Sequence, residues 1–221
     1  NVAIGKQALE ANTTASNNTA IGQSALKLTT TGASNVAVGA NALDANTTGN
    51  YNTGVGKDSL TANTTGQQNT AMGVSSMLLN TTGDFNTAIG NNALYSNSTG
   101  DENTAVGRAA LFNSTGNYNT AVGDLALYSN TTADGNTAMG NNALGANTTG
   151  SGLVAIGANA LDANTTASNN TAAGYNALGA NTTGTSNTAI GAFALDANTT
   201  ANNNVAVGVT ALTSNTTGAS N

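Results

Sequence analysis

The chain has 221 residues and no Cys, His, Trp or Pro, which leaves no thiolate nucleophile, imidazole base or Cys/His zinc site. Its charged fraction is 6%, and ten acidic against four basic residues give a net charge of −6, which disfavours nucleic acid and anionic membrane surfaces as partners. No apolar run approaches the length of a membrane span, so no membrane insertion is expected.

Repetition is the dominant signal. Units begin at Asn1, Asn18, Asn35, Asn52, Asn69, Asn86, Asn103, Asn119, Asn136, Leu153, Asn170, Asn187 and Asn204. Twelve of these thirteen units have 17 residues. The unit from Asn103 has 16, and the alignment places the lost residue between Leu111 and Asn113. The consensus is N-T-A-[IVM]-G-x-x-A-L-x-x-N-T-T-G-x-x. Residues 1–221 therefore read as one continuous array with no separate domain or linker. The chain opens on Asn1 and closes on Asn221, both in register, so an excerpt of a longer processed chain is expected.

A unit this short cannot bury its own apolar side and must stack on copies of itself. Position one is Asn in every unit but the one opening on Leu153, and stacked Asn residues can form amide ladders at a bend. The T-A-I-G segment predicts a short strand that pairs with its copies in neighbouring coils, at about 4.8 Å per coil. Its fourth residue, as in Ile4, Ile21 and Val38, is expected to stack into one of two large apolar columns. Gly at position five marks a sharp turn or a crowded approach. The x-x-A-L-x-x segment reads as a second strand or one helical turn, and its Leu forms the second column, as in Leu9, Leu26 and Leu43. N-T-T-G then closes the unit with a turn. The sixth, seventh, tenth, sixteenth and seventeenth positions vary freely and carry every charge and every aromatic ring, so they are expected to face solvent. The predicted fold is an elongated, all-β parallel β-solenoid or β-roll of thirteen coils. Two large apolar residues per coil make a thin core, so self-association into a fibre is expected, side by side or end to end.

The stretch "NTAIG" followed by "ALxxNTTG" resembles repeats of bacterial surface adhesins and phage tail fibres. Ala3-Ile4-Gly5-Lys6-Gln7-Ala8 resembles the head repeats of trimeric autotransporter adhesins, which form a left-handed parallel β-roll in a trimer. It is also similar to one rung of a left-handed β-helix hexapeptide. The autotransporter repeat is shorter, and the hexapeptide recurs three times per coil against once here. What the resemblance implies is the class, an extracellular or cell-surface β-solenoid fibre.

Position twelve begins N-T-T or N-S-T in twelve units, which matches the N-x-[ST] acceptor of N-linked glycans. The candidate attachment residues are Asn12, Asn46, Asn63, Asn80, Asn97, Asn113, Asn130, Asn147, Asn164, Asn181, Asn198 and Asn215. Asn17 and Asn169 also match, through N-N-T. A turn beside Gly would expose these sites. The competing reading is turn chemistry, because the second unit keeps Thr30 and Thr31 although Thr29 replaces the Asn. A third reading, an ice-binding Thr array, fits less well because adjacent Thr residues on a strand point oppositely. Carboxylates at position ten share their column with Lys27, Thr61, Tyr95 and Gly145, so no acid–base pair or repeat-wide metal site is expected. The sequence thus predicts a structural filament segment with covalent glycans and no other cofactor, or an adhesin or tail-fibre shaft, and not an enzyme.

Overall fold

Thr, Val and Ile favour extended backbone, and each T-A-[IVM] triplet forms a three-residue strand ended by Gly. The computed structural model describes residues 1–221 and contains no helix. It divides into two compact units, Asn1–Ala109 and Ala110–Asn221, and the division falls within the short coil. The first unit holds β1 (Val2–Ile4), β2 (Thr19–Ile21), β3 (Val36–Val38), β4 (Thr53–Val55), β5 (Thr70–Met72), β6 (Thr87–Ile89) and β7 (Thr104–Val106). The second holds β8 (Thr120–Val122), β9 (Thr137–Met139), β10 (Val154–Ile156), β11 (Thr171–Ala173), β12 (Thr188–Ile190) and β13 (Val205–Val207). In each unit the strands pair parallel in chain order, and every residue meets its own copy in the next coil, as Ala3 meets Ala20 and Ala138 meets Ala155. The fold is the predicted parallel β-solenoid.

Two expectations about the coil are corrected. The x-x-A-L-x-x segment is neither strand nor helical turn. Its seventh and ninth residues are left-handed, as in Asn41 (φ 57°) and Leu43 (φ 53°), so the chain zigzags. Its amides then reach alternately to the two neighbouring coils: Asn41 N donates to Gln23 O at 2.9 Å, and Leu43 N to Ser59 O at 3.0 Å. A left-handed Leu costs about 1–2 kcal/mol of backbone strain, and full burial of its side chain returns about 1.5–3 kcal/mol.

The second correction concerns the strand. Side chains alternate across a strand, so either the third residue or the second and fourth face inward. The structure buries Ala at position three and turns the large fourth residue outward, with Ile21 38% and Ile156 45% exposed. The core is instead built from Ala at positions three and eight against Leu at nine. Gly54, which stands where most coils have Ala, shows the fit: a Cβ there would lie 3.1 Å from Ser59 Oγ and 3.4 Å from Leu43 Cγ. A methyl group already fills that space, and the room for Ile is taken by Leu.

Gly at position five is required twice over. Gly73 has φ 135°, and a Cβ on it would stand 2.5 Å from the carbonyl oxygen of Gly90 in the next coil.

Candidate functional site

No three of the chain's Asp or Glu residues stand together as a metal cluster. The residues that recur with polar chemistry are four ladders of side chains running from coil to coil.

Asn at position one is a buried peg. Asn35 Nδ2 donates to Gly49 O at 2.9 Å across the coil, and its Oδ1 accepts the amide of Asn52 at 2.8 Å. The expected ladder therefore runs mainly from side-chain oxygen to backbone amide. Leu153 keeps the place of the peg, buried, but offers no acceptor to the coil after it.

The Asn of Asn-Thr-Thr faces inward too, which corrects the exposure expected for it. Asn46, Asn63, Asn80, Asn97, Asn130, Asn147, Asn164, Asn181 and Asn198 are 0% exposed. All of these but Asn46 donate twice; Asn46, which follows the coil with Thr29 in the column, donates only to Gly49 O at 3.1 Å. Asn63 Nδ2 reaches Asn46 Oδ1 at 2.9 Å and Gly66 O at 3.0 Å. Asn147 Nδ2 reaches Asn130 Oδ1 at 3.1 Å and Gly150 O at 2.9 Å. The amide-to-amide ladder thus runs at position twelve. A glycan would be attached through this same Nδ2, replacing one of the two hydrogens it donates, in a fully buried position.

The remaining candidates are less enclosed. Asn12 and Asn215 are half-buried in the first and last coils, and each donates Nδ2 to the carbonyl three residues on. Asn113 belongs elsewhere. Ser114 is the fully buried residue that accepts from Asn130 Nδ2 at 3.1 Å, so Ser114 holds the column. Asn113 sits one position earlier and donates to Tyr128 O at 3.2 Å. Thr115 Oγ1 makes the contact typical of position thirteen, to Thr131 O at 3.1 Å. The missing residue is therefore at position fourteen, not between Leu111 and Asn113. Asn17 and Asn169 lie exposed at left-handed turns with φ 62° and 61°. These are the two sequons open to solvent.

The two Thr residues of the motif part company. At position thirteen the hydroxyl donates to the carbonyl of the next coil, as Thr64 Oγ1 to Thr81 O at 3.0 Å. This is the role that survives in Thr30, whose Oγ1 reaches Thr47 O at 3.2 Å. The Thr at position fourteen, such as Thr65, points to solvent.

The fourth ladder was hidden among positions read as freely variable. At position sixteen a short polar side chain accepts the backbone amide of the preceding coil: Ala33 N donates to Asn50 Oδ1, Gln67 N to Asp84 Oδ1 and Ser151 N to Ser168 Oγ. Asn, Asp, Ser or Thr fill most copies of this position, and that restricted set was the available signal.

Two pairs of aromatic rings meet across neighbouring coils. Phe112 stacks on Tyr128 with centroids 5.3 Å apart, and Tyr175 meets Phe193 edge-on at 5.2 Å. Burial pushes the Asp44 carboxyl up from its ordinary value, while Lys27 pulls it back. Burial also raises Asp162, backbone hydrogen bonds oppose this, and the charge of Asp196 adds to the rise. Compared with known proteins, the chain matches no family model, and neither curated proteins nor solved structures give a match.

Proposed function

We propose that the chain is a structural segment, the shaft of an extracellular or cell-surface filament that self-associates and has no catalytic role. One observation carries this reading. The polar chemistry that recurs from coil to coil is spent on bonds between coils, buried at positions one and twelve and nearer the surface at thirteen and sixteen. Repetition of this kind specifies length and stiffness, since each coil contacts its neighbours through the same hydrogen bonds. The resemblance of the A-I-G-x-x-A segment to adhesin head repeats supports the surface location.

In this reading the position-twelve column is core, and any N-linked sugar belongs at Asn17 and Asn169. An adhesin or tail-fibre shaft is the second reading, favoured by the same resemblance, and it uses the same rigid coil stack to hold a binding tip away from a surface. Antibodies raised against the chain and applied to unpermeabilised cells or intact particles test the shared claim. Labelling of external filaments is expected. Labelling that needs permeabilisation contradicts the proposal.

A further inference from the structure

The outward face of the strands is the one part of the surface whose composition is restricted like a core. Position four is Ile, Val or Met in twelve coils and Ala in one, yet it lies outside. Met72, Ile89, Met139 and Ile190 are 43%, 39%, 44% and 44% exposed. Beside it, position two is Thr or Val throughout. Strand preference alone does not explain the choice, because Met72 and Met139 are not β-branched. Parallel in-register pairing aligns the position-four side chains into an apolar stripe, flanked by Thr or Val, along β1–β7 in the first unit and another along β8–β13 in the second. None of the fourteen charged residues stands at position two or four.

We infer that this stripe is the surface through which a second copy of the chain packs, strand face against strand face. The inference rests on the self-associating structural role proposed above and names the face that serves it. Two arguments point to a copy of the same chain. Like copies carry a net charge of −6 each and repel elsewhere, whereas this face brings no charge against charge. A stripe with the repeat of the coil is also self-complementary, since outward side chains on one copy fit between those on another at the same spacing.

Sedimentation equilibrium of the full chain tests this. The wild type is expected at a small fixed multiple of 21.4 kDa. The triple variant Ile21→Lys, Ile89→Lys, Ile156→Lys is expected to dissociate at least about 10-fold more readily, with an unchanged far-UV spectrum. The control variant Thr65→Lys, Thr149→Lys, Thr183→Lys, at the exposed fourteenth position, should associate like the wild type. Should the lysine variant misfold, Ile→Thr at the same three sites keeps a β-branched residue and gives the same readout. If the wild type associates and neither face variant weakens it, the face is wrong while self-association stands. An open ladder of masses that both variants share points the same way, to contact through the coil ends. A wild type that stays monomeric up to about 100 μM overturns the face and self-association together.

Discussion

Asn147 shows what the recurring Asn-Thr-Thr does at the level of one side chain. It lies wholly inside the coil, donates both amide hydrogens, and through Oδ1 accepts from Asn164 Nδ2 at 3.0 Å. Replacing it with Ala leaves Asn130 Oδ1, Gly150 O and Asn164 Nδ2 short of a partner. Asn147→Ala is expected to cost about 3 kcal/mol in chemical denaturation, whereas Asn169→Ala at an exposed turn should change little. The ladder also has a natural break. Thr29 stands in the column in place of Asn, and both its Oγ1 and the Oδ1 of Asn12 are buried without a partner. Thr29→Asn should join the ladder and raise stability by about 1–2 kcal/mol, read as a higher denaturation midpoint with an unchanged slope. The sequence alone did not reveal this inward direction. N-T-T matches an acceptor for glycans and also a turn, and both readings place Asn outside. The hydrogen-bond partners that pull it inside come from the neighbouring coils, 17 residues away. The same ambiguity misplaced Asn113, since Asn113-Ser114-Thr115 reproduces the motif while the column is held by Ser114.

At the scale of the strand and turn, the period and the all-β parallel stacking were legible because 17-residue register demands that like pairs with like. Leu at position nine was legible as core for the same reason. The inward face of the strand was not. A triplet of Thr, Ala and Ile offers too few residues for alternation to show, and size favours the wrong answer because Ile is larger than Ala. Only the opposing Leu, held left-handed across the coil, decides it. That zigzag was equally hidden, since left-handed Leu contradicts local preference and is tolerated because the side chain is buried and the amides pair between coils. Position five was read as a sharp turn or a crowded approach, and the approach is crowded. Gly73→Ala places a methyl against the Gly90 carbonyl on a backbone of φ 135°, so neither rotation nor a small shift relieves it. It should cost about 3 kcal/mol or more, and hydrogen exchange should show opening of the coils next to it before global unfolding.

For the molecule as a whole, the acidic balance and the two raised carboxyls act in one direction. Asp44 and Asp162 are raised from 3.8, chiefly by burial, so the folded chain retains protons that the unfolded chain releases. Their contribution is greatest below the ordinary carboxylate value and falls as pH rises through the folded one. Acidification also lowers the self-repulsion of a chain with net charge −6. The thermal midpoint should therefore be higher near pH 4 than at pH 7, and the double variant Asp44→Asn, Asp162→Asn should reduce that difference while stabilising the chain at pH 7.

A stack of coils held by internal polar ladders makes one demand above all others: the Asn of Asn-Thr-Thr must stay inside. The most direct measurement is glycan-site mapping by mass spectrometry on folded, protease-resistant chain recovered from a secretory host that performs N-glycosylation. Peptides covering Asn63 and Asn147 should carry no sugar, and any attachment should fall at Asn17 or Asn169. Sugar on Asn63 or Asn147 in folded material would show that the column faces outward, and the coil described here would not be the one the chain adopts.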